Sequence, residues 1–230
     1  MHALISSLYL IRLSPPAIIL ALLSLSSCAS SLVYSPSLDL APNPLKRDNG
    51  QIMGGGELLP ETRPNYAGHH TTPGLGGSIK YGFSEAFSLQ VKSWYDLSQL
   101  NGNDRQGYSG SVVAMINDST APTRIAVIPT YALLFNGSSI DGRGVSVSLA
   151  AWFPASGNLH PYLGFGPAIG WRQLSNGVDG FGLIANAGAE YNLTPSLTLT
   201  GELSGILQID RTDRSTSVMG SPKISLGWLF

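Results

Sequence analysis

Lys223-Ile224-Ser225-Leu226-Gly227-Trp228-Leu229-Phe230 decides how the rest of the chain is read. Ile224, Leu226, Trp228 and Phe230 share one side of an extended chain, and Lys223, Ser225 and Gly227 share the other. That is a period of two, the repeat of a β-strand with different surroundings on its two faces. The apolar side is large and aromatic, and the stretch stops on a ring with no polar tail. Acyl chains against one face and a polar interior against the other explain such a strand; water does not. The expectation is a strand that closes a barrel in a lipid bilayer.

Composition agrees with that reading. The 230 residues are 43% hydrophobic and 12% charged, with net charge −1 and 27 glycines. The charged share is about half that of a soluble domain. Beyond the first 30 residues no apolar run approaches the roughly 18 residues a transmembrane helix needs. Few charges without a helical span suit a membrane barrel, where only every second residue must be apolar. Balanced charge with no basic run leaves no nucleic-acid surface. A single cysteine, Cys28, excludes an internal disulfide framework and any Cys/His metal spacing.

Moving back along the chain, the same alternation recurs in residues 51–59, 75–83, 87–95, 108–116, 124–135, 145–153, 163–171, 183–191 and 197–204. With the closing stretch this makes ten strands of an all-β, antiparallel, up-and-down transmembrane barrel. Eight is the alternative, if 108–116 and one partner belong to loops. An even number suits a single-chain barrel. Residues 61–73, 98–106 and 136–144 read as loops, while 84–86 and 192–196 are tight connections. Pro129, inside a strand, signals a bulge or a missing ladder hydrogen bond. Gly164, Gly166 and Gly170 make a face without side chains, which leaves room for a large group from across the lumen. Phe83, Phe87, Phe153, Tyr191 and Phe230 flank the short connections, and Tyr95, Phe135 and Trp171 lie near the other strand ends. Phe87 and Tyr95 are eight residues apart on one face, which is roughly 20 Å of height in a tilted strand.

Residues 1–27 read as an export signal, with Arg12 and the apolar core Ala17-Ile18-Ile19-Leu20-Ala21-Leu22-Leu23. Leu25-Ser26-Ser27-Cys28 resembles the bacterial lipoprotein signal. That resemblance implies cleavage before Cys28 and fatty acid, palmitate included, on its sulfur and new amino group. An ordinary leader cut near Ala29 is the alternative. Residues 28–49 then form a lipid-attached periplasmic linker, and 50–230 form the barrel.

Tyr191-Asn192-Leu193-Thr194-Pro195-Ser196-Leu197-Thr198-Leu199, a strand-turn-strand unit, and the terminal Trp228-Leu229-Phe230 carry a second resemblance. Over residues 50–230 the chain resembles the small outer-membrane β-barrel proteins of Gram-negative bacteria. The resemblance implies an outer-membrane location and contact with membrane lipid. It also implies that the barrel-assembly machinery reads Trp228 and Phe230 as an assembly signal.

Eight ionisable residues fall on the faces that would line the lumen: Glu57, Lys80, Lys92, Asp96, Arg124, Glu190, Glu202 and Lys223. The two signs balance, and in a narrow bore such charges are expected to pair, because an unpaired one is costly there. A closed polar lumen with a structural or surface-interaction role is the reading this favours; a small porin-like channel for ions or solutes is the alternative. His69 and His70 lie in a polar loop with no third ligand at a recognisable spacing. His160, next to Pro161, reads as structural. A membrane-embedded protease would need carboxylates and histidine gathered at the outer rim, from Asp104, Asp141, Asp179, Asp210, Asp213, His69 and His70, and a deacylase would need a Ser/His pair. No motif of either kind is present, so the expectation is no enzyme, no cofactor and no metal.

Overall fold

The structure, a computed structural model, describes residues 48–60, 71–97, 105–117, 120–154, 157–172, 180–210 and 216–230. It contains ten strands: β1 (Gly50–Pro60), β2 (Thr71–Gly82), β3 (Phe87–Asp96), β4 (Arg105–Met115), β5 (Arg124–Asn136), β6 (Ser139–Trp152), β7 (Leu159–Arg172), β8 (Gly180–Asn192), β9 (Leu197–Asp210) and β10 (Thr216–Leu229). Each pairs antiparallel with its neighbours in the chain, and β1 pairs with β10 to close the cylinder. The leader, with Cys28, and His69 and His70 lie outside the described residues.

The register fixes the size of the barrel. A walk across the ladders from Gln51 passes Lys80, Gln90, Ser111, Thr130, Ser146, Ala168, Gly182 and Gln208 and reaches Ser217 on β10. Gln51 itself pairs with Leu229, so the circuit closes with a stagger of twelve residues. Ten strands with that stagger tilt by about 40° and give a backbone radius of about 10 Å. Inward side chains from opposite walls therefore meet near the axis.

Closure is made by Gly50 and Phe230. Gly50 N–H donates to the Phe230 carbonyl at 2.8 Å, and Phe230 N–H donates to the Gly50 carbonyl at 2.9 Å. The Phe230 ring lies where a side chain on residue 50 would stand, so a larger residue there would displace the ring from the β1 backbone. Asp48, at a φ of 62°, accepts a hydrogen bond from the Tyr81 hydroxyl at 3.2 Å and ties the approach to β1 onto β2.

Three prolines interrupt the wall in the same way. Pro129 stays paired with Val147 on β6, but the β4–β5 ladder skips from Ser111↔Thr130 to Ala114↔Val127. Pro167 stays paired with Leu183 on β8, but the β6–β7 ladder skips from Ser146↔Ala168 to Leu149↔Phe165. Pro222 stays paired with Leu203 on β9, and the β1–β10 ladder ends one residue short of it, at Glu57↔Lys223. A ring nitrogen has no hydrogen to give, so each proline removes a bond on one side only. At Pro129 the register continues without a shift, so the missing-bond reading holds there and the bulge reading does not. The bulge lies higher, between Leu134 and Phe135, where β6 carries one additional residue, Asp141.

The segment 136–144, read from sequence as a loop, is a tight hairpin. β5 ends at Asn136, β6 begins at Ser139, and Gly137 takes a φ of 60°. Glycine adopts that left-handed conformation without steric cost. The polar run of Ser139, Asp141 and Gly142 hid a strand that extends past the apolar band.

Burial alternates residue by residue along every strand. On β3, Ser88, Gln90, Lys92, Trp94 and Asp96 are buried while Phe87, Leu89 and Val91 are exposed. Ile224, Leu226, Trp228 and Phe230 are likewise exposed on β10, with Ile224 at 67%. Apolar groups this exposed on every wall need an apolar solvent. Exposed Phe83, Phe87, Phe153, Tyr191 and Phe230 ring the end bearing the short connections.

Candidate functional site

The alternation that sends leucine and isoleucine outward sends the ionisable residues into the bore. Glu57, Lys80, Lys92, Asp96, Glu190, Glu202 and Lys223 are all buried. Arg124 differs: it is half-buried at the mouth, at the start of β5, where its guanidinium donates to the Glu85 carbonyl at 3.4 Å. It caps the bore rather than lining its middle.

The strand register brings these charges together. Lys92 Nζ on β3 lies 3.2 Å from Glu57 Oε2 on β1. Glu57 is the direct cross-strand partner of Lys223, and Lys223 is the partner of Glu202. Glu202 accepts from the Tyr162 hydroxyl at 2.7 Å and from Ser204 Oγ at 2.6 Å. A band of alternating sign thus runs from β9 through β10 and β1 to β3. Nearer the mouth, Lys80 on β2 feels Glu190 on β8 and Arg124 on β5. Those three strands lie on different sides of the circle, so their side chains converge across the bore.

Sequence reasoning missed the other half of the interior. The expectation was a polar lining throughout, and the structure corrects it. Val113, Ala126, Ile128, Ala150, Trp152, Tyr162, Ala168, Ile184 and Ile206 form one buried apolar cluster, and Trp94, Ala132 and Leu134 form another. Most of these stand on β4 to β7, the wall that holds no buried charge among the described residues. The cue was present in Ile125-Ala126-Val127-Ile128, where apolar residues occupy both faces of β5. The Trp94 ring packs onto Gly107, and the Tyr162 ring covers Gly188; a side chain at either glycine would collide with the ring.

This lining leaves little room for solvent. Ser148, Thr198 and Ser221 are 0% exposed and Lys80 is 1% exposed. Polar side chains from all around the bore are therefore shielded from water by one another. Among the described residues, no three His, Cys, Asp or Glu side chains gather as a metal site. His160 Nε2 is 3.0 Å from Asn192 Nδ2 beside a short connection, and braces β7 against β8.

No family model matches the chain. No curated protein matches its sequence. Solved structures with similar barrels include the outer membrane protease OmpT from Escherichia coli, with 10% identity over 87% of this chain and 99% of that one, at a TM-score of 0.44. The N-terminal β-barrel domain of Pseudomonas aeruginosa OprF shares 14% identity over 81% of this chain and 100% of that one, at 0.39. Ail, the attachment invasion locus protein of Yersinia pestis, shares 13% identity over 80% and 99%, at 0.38.

Proposed function

We propose that this chain is a non-enzymatic outer-membrane barrel with a closed bore, acting as a structural or surface-interaction protein. The observation that carries this reading is the filled interior. Charges from β2, β5 and β8 converge at the mouth, and the band from Glu202 to Lys92 crosses the middle. A solute would have to break buried ion pairs to pass, and removing a partner from such a pair is costly. The exposed apolar wall supports placement in a bilayer. Its assembly by the barrel-assembly machinery, through Trp228 and Phe230, belongs to the same proposal.

Planar-bilayer recordings test the closed bore. The purified barrel is expected to give no steady unitary conductance. A steady conductance that Lys92→Ala or Glu202→Ala abolishes would establish a channel instead. A lipid on Cys28 would add a second hold on the membrane, since several buried acyl chains anchor stably. Loss of labelled palmitate in Cys28→Ser is the expected result, and retained label refutes the anchor.

A further inference from the structure

Among the described side chains of the ten strands, the outward positions are apolar, glycine or uncharged polar with one exception, Arg143 on β6. Its cross-strand neighbours are Leu133 on β5 and Trp171 on β7. The guanidinium carbon lies 5.5 Å from the centroid of the Trp171 ring, a cation–π distance. Arg143 itself is exposed.

Height gives the contact its meaning. Arg143 is ten residues along the chain from Phe153, an exposed ring of the girdle beside the short connections. At a tilt of about 40° that is about 25 Å, the full height of the apolar band. The guanidinium therefore sits at the upper edge of the hydrocarbon layer, on the side away from Gly50 and Phe230. The bulge at Leu134/Phe135 lies just above it, and bulges re-aim the side chains around them. Below it the wall is Val145, Tyr131 and Ile169, with nothing to neutralise a cation. One face of the guanidinium is backed by the indole, and its two cross-strand neighbours, Leu133 and Trp171, bring no charge to it. Phosphate is the anion that lies at this depth, and arginine binds it through paired, charge-assisted hydrogen bonds.

The geometry points to a lipid-phosphate site on the outside of the barrel: Arg143, held by Trp171, binds the phosphate of a phosphorylated glycolipid in the outer leaflet. This rests on the outer-membrane reading above. The test uses the full-chain protein exchanged into micelles containing either bisphosphorylated lipid A or the same lipid after phosphatase treatment, with retained lipid counted by native mass spectrometry. The wild type is expected to retain the phosphorylated lipid about fivefold better. Arg143→Gln is expected to lose that preference, Arg143→Lys to keep part of it, and Trp171→Leu to lower it about twofold. Equal retention of the two lipids by the wild type overturns the site without any variant, and so does tighter retention of phosphatidylglycerol than of lipid A. Insertion into vesicles is scored in parallel by heat-modifiable migration. Failure to insert overturns the outer-membrane reading, whereas insertion with equal retention overturns the lipid site alone.

Discussion

The two walls of the bore solve one packing problem in opposite ways. From β8 through β10 and β1 to β3, the wall carries Glu190, Glu202, Lys223, Glu57, Lys80, Lys92 and Asp96. From β4 to β7 it carries Ile128, Trp152, Tyr162, alanines, serines and glycines, with Arg124 only at the mouth. In a circle of ten strands, β1 faces β6 and β2 faces β7. Long charged side chains on one wall thus reach toward short residues such as Gly164, Gly166 and Ser148 on the other. The charged wall is specified by pairing and the neutral wall by shape. Interiors at crystal-like density tolerate neither an unpaired charge nor a void.

The largest expected effect is on the charged wall. Lys92→Met leaves Glu57 buried without its 3.2 Å partner and is expected to cost about 3–5 kcal/mol. Adding Glu57→Leu removes the other member of the pair and is expected to recover part of that loss, Lys223 keeping Glu202 beside it on the β9–β10 ladder. Urea unfolding from lipid vesicles, followed by tryptophan fluorescence, measures both. If the single variant costs under about 1 kcal/mol, the charges are not a coupled unit. The neutral wall is expected to answer to volume instead. Ile128→Ala opens a cavity in the larger apolar cluster and is expected to cost about 2–4 kcal/mol. Ser148→Ala, at a buried hydroxyl with no hydrogen-bond partner among the described residues, is expected to change stability by less than about 0.5 kcal/mol. A large cost for Ser148→Ala with a small one for Ile128→Ala would reverse the contrast between the walls.

The outside of the barrel was legible in the sequence because it is written locally. Each strand meets lipid through its own alternate residues, so Ile224, Leu226 and Trp228 declare a face without reference to any other strand. All ten strands follow from that repeat. Their outer ends did not, because Ser139-Ile140-Asp141-Gly142 and Arg105-Gln106-Gly107 stand where alternate residues need no longer be oily. The interior is written non-locally. Whether Ile128 or Lys92 belongs at an inward position depends on what stands across the bore, and that is set by the twelve-residue stagger. Within a single strand the one hint is the run Ile125-Ala126-Val127-Ile128, apolar on both faces, and it does not say what the inward pair packs against. The balance of charge signs was visible in the composition of the inward faces; the Glu57–Lys92 partnership and the apolar half were not. Arg143 was missed because it sits in a stretch read as a loop, where an arginine carries no particular message.

The meeting of Gly50 with Phe230 has a consequence for how the molecule is made. Nine of the ten ladders join strands adjacent in sequence, but the tenth joins the two ends of the barrel. Until β10 arrives, β1 presents a bare edge with nothing beside it, and every hairpin formed in between is a sheet still searching for its far side. Contacts of such long sequence separation form slowly, and an open edge in the meantime invites other chains to pair with it. The cylinder is therefore complete only when the first and tenth strands touch, the one contact that no hairpin can make on its own.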